Sequence, residues 1–131
     1  MPAPGPWTED ELDRVGSAQE LDLSSAGPDG TLGPATTMWV VRVGDDLYVR
    51  SAGGPDRPWY RRALAAGAGR IGAGGVARSV TFASVAPDVE PDIDAAYHAK
   101  YDSYGPRIVG SVTGEHAHLV TIRLAPTADL A

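Results

Sequence analysis

Hydrophobic residues change period several times along the chain, and each change marks a predicted element. Thr8 followed three residues later by Glu11 is a capping box, and Trp7 and Leu12 are spaced as a hydrophobic staple, so a short helix is expected from residue 9 to near Gly16. Leu21 and Leu23 alternate weakly with polar neighbours and suggest an edge strand over 19–24. Gly27-Pro28-Asp29-Gly30 and Gly33-Pro34 then break the chain twice. From residue 37 the period becomes two: Trp39, Val41 and Val43 point one way, and after Gly44-Asp45-Asp46 the residues Leu47, Val49 and Ser51 rejoin that face. Residues 38–51 are therefore predicted to be an antiparallel β-hairpin with a three-residue loop, in which Arg42 faces Tyr48 and Val40 faces Arg50.

Beyond Gly53-Gly54-Pro55, Asp56 is placed to cap a helix that admits Pro58 in its first turn and shares one face among Trp59, Tyr60, Ala63 and Leu64. Gly72 to Gly75 predicts a tight turn into a strand from Val76 to Val85, with Val76, Arg78, Val80 and Phe82 on one side. A longer helix is expected over 91–103, with Tyr97, Tyr101 and Tyr104 in one aromatic stripe and Asp94 and His98 four apart as a surface pair. Gly105-Pro106 stops it. A short strand over 107–111 and a closing strand from His118 to Leu124, with Val120, Ile122 and Leu124 inward, complete the set. Strands joined by hairpins disfavour a doubly wound parallel sheet. A small antiparallel barrel with peripheral helices is the economical solution, because closure removes exposed edges.

Composition narrows the chemistry. At 131 residues one domain is expected, with its body over 9–126 and flexible tails at 1–8 and 127–131. No cysteine is present, which removes disulfides, thiolate metal sites and cysteine nucleophiles. The opening Met-Pro-Ala-Pro-Gly-Pro does not have the form of a signal peptide, and no apolar run approaches the roughly 20 residues of a membrane span, so a cytoplasmic protein is expected. A formal charge of −6 argues against general affinity for nucleic acid or anionic membranes. Seven arginines nevertheless fall between Arg42 and Arg78 and could line a local basic pocket.

Individual motifs are mostly structural in character. Gly72-Ala73-Gly74-Gly75 fits neither the dinucleotide fingerprint nor the P-loop, and a strand follows it where a helix would be needed. His116 and His118 would share a strand face, but no third ligand stands at metal spacing, and no metal is expected. No GxSxG elbow is present. The aromatic residues Trp59, Tyr60, Tyr97, Tyr101 and Tyr104 either bury their rings with hydroxyls toward water or form a wall for a flat heteroaromatic ligand.

The segment Thr37-Met-Trp-Val-Val-Arg-Val-Gly-Asp-Asp-Leu-Tyr-Val-Arg-Ser-Ala-Gly-Gly54, then Trp59-Tyr-Arg-Arg-Ala63, Gly74-Gly75 and Tyr97-His-Ala-Lys-Tyr101-Asp-Ser-Tyr104 strongly resembles the bacterial family DUF2255. More distantly it resembles the flavin- and deazaflavin-dependent split-barrel proteins. The resemblance implies a mainly β fold with peripheral helices, a split β-barrel of antiparallel, Greek-key-like strands, forming a homodimer with a small-molecule site between protomers. Carried over by position, Thr36, Thr37, Arg50, Ser51, Ala52, Gly53, Trp59, Tyr60 and Arg61 would hold FMN or the deazaflavin F420. Trp39, Tyr97, Lys100, Tyr101, Tyr104 and His118 would border the substrate, with Tyr101 and Arg50 in catalytic roles. Many deazaflavin-dependent relatives carry a basic turn before the strand, where this chain has Gly30-Thr31-Leu32-Gly33-Pro34-Ala35, so a phosphate would rely on Arg50, Arg61, Arg62 or Lys100. The expected function is an FMN- or F420-binding oxidoreductase acting on a small organic molecule. The alternatives are a cofactor-free small-molecule binding protein or diverged non-redox barrel, and a cofactor-free lyase or cyclase using Tyr101 and His118.

Overall fold

Local signals set the first element, and burial then orients it. In the computed structural model, which describes residues 7–127, the Thr8 hydroxyl accepts from the Glu11 N–H at 3.1 Å and the Glu11 carboxylate accepts from the Thr8 N–H at 2.9 Å. This capping box opens α1 (Glu9–Ser17). Trp7 and Leu12 are both buried, and the Trp7 indole donates to the Leu124 carbonyl at 2.9 Å, which ties the start of the domain to its last strand. The domain thus takes in Trp7 and Thr8; the rest of the two expected tails lies outside the described residues, apart from Thr127.

Seven strands follow: β1 (Leu21–Ser25), β2 (Thr36–Met38), β3 (Val41–Val43), β4 (Asp46–Arg50), β5 (Ala68–Ala73), β6 (Val76–Ala83) and β7 (Thr121–Pro126). They form one antiparallel sheet in the order β2-β1-β5-β6-β7-β4-β3. β2 and β3 occupy opposite edges, yet only Trp39 and Val40 separate them in sequence. Two linking residues span at most about 11 Å, whereas the edges of a flat seven-stranded sheet would lie roughly 29 Å apart. The sheet must therefore curl into an open half-barrel, as in a split β-barrel.

The inner face of the curl is filled by Leu21, Leu23, Val40, Leu47, Val49, Ile71, Val80, Ile122 and Leu124, against which α1 contributes Leu12 and Val15. A second core lies outside β3 and β4, where Val41 and Tyr48 pack under Ile93, Tyr97 and Tyr101 of α3 (Glu90–Tyr101).

Several expectations change in register rather than in kind. The hairpin pairs Val41 with Tyr48, Arg42 with Leu47 and Val43 with Asp46, so its loop is the two residues Gly44-Asp45. Gly44, at φ 61°, sits at the first loop position, which favours glycine in the II′ class. Shortening the loop by one residue exchanges partners across the hairpin: Val41 and Tyr48 go outward under α3, while Leu47 and Val49 stay inward with Val40. β1 is not an edge strand, because it pairs with β2 on one side and β5 on the other. Helix α2 (Pro58–Ala66) has Arg57, not Asp56, at its N-cap, and its buried residues are Tyr60 and Ala63 while Leu64 is 60% exposed. Residues 106–112 are helical and not a strand: Gly105, at φ 101°, turns the chain into α4 (Pro106–Val109), where Pro106 suits a first helical turn. His118 ends α5 (Glu115–His118), so His116 and His118 do not share a strand face. The glycine turn behaves as expected, with Gly74 and Gly75 at φ 57° and 84° between β5 and β6. No helix among the described residues is long and apolar enough to cross a membrane.

Gly69 of β5 pairs with Ser25 of β1. A methyl group there would lie 1.9 Å from the Ser24 carbonyl oxygen and 2.9 Å from Phe82. Gly69→Ala is expected to lower stability by about 1–3 kcal/mol in urea denaturation, whereas Gly110→Ala, with open space around the added carbon, should change it by no more than about 0.5 kcal/mol.

Candidate functional site

Arg50, the last residue of β4, lies opposite Thr121 of β7 and beneath the first turns of α3. Its side chain is completely buried, and every one of its N–H groups has a partner. Nε donates to Thr121 Oγ1 at 2.9 Å; Nη1 donates to Asp94 Oδ1 and, at 2.7 Å, to the Val112 carbonyl; Nη2 donates to Glu90 Oε1 at 2.6 Å and, at 3.4 Å, to the Glu90 carbonyl. Glu90 and Asp94 are one helical turn apart, so a single face of α3 presents both carboxylates to one guanidinium. The remaining Asp94 oxygen meets His118 Nε2 at 3.0 Å and the Gly114 N–H at 3.3 Å. Burial pushes the Asp94 carboxyl up, but the hydrogen bonds from Arg50 and His118 and the Arg50 charge outweigh it and hold Asp94 below the usual carboxylate range. Asp94 does not pair with His98, which turns outward to Asp102 at 2.7 Å. Arg50 also lies over the Tyr97 ring, 5.5 Å from its centroid. The Tyr97 hydroxyl is buried without a hydrogen-bond partner, and desolvation raises it above the ordinary tyrosine range.

On one side of Arg50 a cleft of about 380 Å³ opens between β2, the 52–59 segment and the 108–112 turn. It is lined by Thr37, Trp39, Ala52, Gly53, Arg57 and Trp59, together with Glu20, Met38, Ile108, Ser111, Val112 and Arg50 itself. The Trp39 ring stacks on Tyr101, with centroids 4.0 Å apart and planes 3° from parallel, and Trp59 is braced edge-on by Tyr60 at 5.7 Å. Both indoles are held by a neighbouring ring before any ligand arrives. Arg57 crosses Gly53 so closely that a methyl group on Gly53 would fall 1.5 Å from Arg57 Nε. Arg57 is exposed and makes no ion pair among the described residues, in contrast to Arg50.

The expected site residues thus fall into three groups. Thr37, Trp39, Arg50, Ala52, Gly53 and Trp59 converge on the cleft, although Arg50 has no donor left for a ligand and the Thr37 hydroxyl is on Asp22 at 2.6 Å. Ser51, Tyr97, Lys100, Tyr101 and Tyr104 form the layer behind it. The Ser51 hydroxyl closes its own turn on the Gly54 carbonyl at 2.6 Å. The Tyr101 hydroxyl meets the Gln19 carbonyl at 2.7 Å and the Val40 backbone at 3.2 and 3.3 Å, and Lys100 Nζ donates to the Val40 carbonyl at 2.7 Å. Burial pushes the Tyr101 phenol up to about 12 and the Lys100 ammonium down to about 8. Tyr104 is 40% exposed and rests against Trp39 at 5.2 Å. Thr36, Tyr60, Arg61 and His118 lie elsewhere: Thr36 pairs with Leu23, Arg61 is on the exposed side of α2, and Tyr60 and His118 line a different cavity. Sequence reasoning counted Arg57 only within the arginine cluster, and missed Glu90 and Asp94 as the partners of Arg50, because that pairing crosses about a third of the chain.

The family model described as uncharacterized protein conserved in bacteria, DUF2255, matches residues 11–124. The chain belongs to the DUF2255 family. No curated protein matches this DUF2255 chain. Among solved structures it is similar to an F420 reductase, with 21% identity and a TM-score of 0.58 over 93% of this chain and 97% of that one. It is also similar to the protein Atu2129 of unknown function from Agrobacterium tumefaciens, with 14% identity and a TM-score of 0.65 over 98% of this chain and 58% of that one. A third likeness is to an FAD and heme binding protein from Mycobacterium smegmatis, with 18% identity and a TM-score of 0.51 over 98% of this chain and 70% of that one. At these identities the likeness carries the fold, the split barrel on which this DUF2255 protein builds its cleft.

Two predictions test the electrostatics. Arg50→Met leaves two inward carboxylates without their cation and is expected to cost about 3–5 kcal/mol in chemical denaturation. Asp94 has a folded-state pKa below its unfolded value, so its stabilisation is complete above the unfolded value of about 3.9 and disappears as pH falls through the folded one. Asp94→Asn should flatten the acid limb of the stability profile, measured by thermal melting between about pH 2 and 6.

Proposed function

We propose that the Trp39/Trp59 cleft binds FMN or the deazaflavin F420 and that the chain, as a homodimer, is an oxidoreductase acting on a small organic molecule. The observation that carries this reading is the pairing of two ring-braced indoles with one unpaired guanidinium, Arg57, across a glycine turn. A flat conjugated ring finds apolar walls, and an anionic tail finds a cation able to bind phosphate through two N–H groups. The cleft volume of about 380 Å³ falls within the range of small-molecule sites, roughly 300–1,000 Å³. The fold is shared with an F420 reductase and with an FAD and heme binding protein, which supports the same reading.

Bound there, the cofactor would supply the hydride chemistry. This chain's residues would hold and orient it: Trp39 and Trp59 against the rings, the Ala52-Gly53 backbone beside their polar edge, Arg57 on the phosphate. Glu20 on the rim repels an anion, so the tail is directed toward Arg57. Tyr101 acts in this scheme by fixing Trp39 and the Val40 backbone, since its ring stacks on the indole and its hydroxyl is engaged by the Gln19 carbonyl and the Val40 backbone.

A second reading, a binding protein for a small aromatic acid without redox chemistry, is favoured by the single free cation. Arg50 is fully paired, Arg61 faces solvent, Arg62 lines a separate groove and Lys100 holds Val40, so only one charge meets the ligand. For the third, a lyase or cyclase using Tyr101 with His118, neither the Trp39 cleft nor the cavity lined by His118 is lined by both residues.

Titration of the purified protein with FMN and with F420, followed by tryptophan quenching, distinguishes these readings. Saturable binding on the order of tens of micromolar or tighter, weakened about tenfold by Arg57→Gln and unchanged by Arg61→Gln, is the expected result. Failure of both cofactors to bind overturns the redox reading, and light scattering that shows only monomer overturns the dimer.

A further inference from the structure

A cavity of about 370 Å³ lies between the end of β6, α2 and the α5–β7 junction and shares no lining residue with the Trp39 cleft. Glu90 forms part of its lining with only 8% of its side chain exposed. Both donors that reach this carboxylate side chain, Arg50 Nη2 at 2.6 Å and Thr121 Oγ1 at 2.9 Å, go to Oε1. Oε2 takes no hydrogen bond among the described residues and is not among their buried unpartnered atoms, so it is the carboxylate oxygen left open to the cavity. His118 lines the same cavity. Its Nε2 is used on Asp94 at 3.0 Å, which leaves Nδ1 as the ring nitrogen without a hydrogen bond among the described residues.

The charges do not balance within the protein. Around the buried guanidinium, one positive charge faces the two carboxylates of Glu90 and Asp94, a surplus of one negative charge when His118 is neutral. Leu64, Phe82, Leu119 and Ile122 give the lining its large apolar side chains, beside the hydroxyl residues Tyr60, Ser84 and Thr121. Leu119 and Leu64 are 81% and 60% exposed, the two most exposed of the large apolar side chains among the described residues, and both line this one cavity.

We propose that this cavity is a second small-molecule site, selective for a protonated amine that carries an apolar group. The ammonium donates to Glu90 Oε2 and to His118 Nδ1 and neutralises the surplus charge, and the apolar group covers Leu64, Leu119 and Phe82. An anion of the same shape is repelled by the surplus, and a neutral alcohol leaves it uncompensated. The site is separate from the Trp39/Trp59 cleft, and its assignment does not depend on what that cleft binds.

The test uses three probes of one shape, 2-phenylethylamine, 2-phenylethanol and 3-phenylpropionate, titrated into the full chain near pH 7.5 and followed by methyl NMR. The expected result is saturable shifts of the Leu119 and Ile122 methyls with the amine, at least about tenfold weaker binding of the alcohol and none of the carboxylate. Leu119→Trp, which fills the mouth from an exposed position, should abolish the amine response while Arg57→Gln leaves it intact. Glu90→Gln should weaken it at least about tenfold, with thermal melting to confirm that the variant is folded; should it not fold, Leu119→Trp carries the test. Equal binding of amine and alcohol, shifts confined to the Trp39 cleft, an unchanged response in Leu119→Trp, or no binding of the amine at millimolar concentration would each overturn the proposal.

Discussion

One buried guanidinium organises this molecule. Arg50 joins β4 to β7 through Thr121, to α3 through Glu90 and Asp94, and to the 110–112 turn through the Val112 carbonyl. Burying a cation is costly unless its hydrogen bonds are complete and its charge is answered, and here both conditions hold. The geometry is demanding, since a planar fork must meet partners from four segments at once. That demand fixes how α3 sits on the outside of the barrel, and hence where its aromatic residues fall. It also connects two cavities, since Arg50 lines the indole-lined cleft while its partners Glu90 and Thr121 line the second.

The second constraint is the crossing from β2 to β3. At Trp39-Val40 the chain leaves one edge of the sheet and joins the other, and the Val40 backbone is met by the Tyr101 hydroxyl and by Lys100. The same crossing presents Trp39 to the cleft with one face covered by Tyr101. Residues that would read as catalytic from their chemistry alone, a tyrosine and a lysine with displaced pKa values, therefore have a positional explanation. Their pKa values are displaced because they are buried where the strand changes edges.

What was legible in the sequence was local. The Thr8/Glu11 capping box, the Gly74-Gly75 turn and the helix with Tyr97 and Tyr101 on one face all depend on neighbours within a few residues. The glycine-rich stretch after β4 and the two indoles line one cleft. What was not legible depended on distant partners. Gly44-Asp45-Asp46 permits either a two- or a three-residue loop, and both hairpin faces are apolar because one meets the barrel interior and the other meets α3, so alternation could not choose the register. Arg50 read as a ligand-binding residue because its two carboxylates are 40 and 44 positions away. Residues 107–111 alternate enough for a strand, yet the turn at Gly105-Pro106 starts a helix.

The central proposal is a division of labour, in which Arg50 holds the structure and Arg57 meets the ligand. A crystal structure grown in the presence of saturating F420 or FMN tests it most directly. The account predicts ring density against Trp39 and Trp59, with Arg57 on the phosphate and Arg50 still bound to Glu90 and Asp94. Density elsewhere, or Arg50 released from its carboxylates to contact the cofactor, would contradict it.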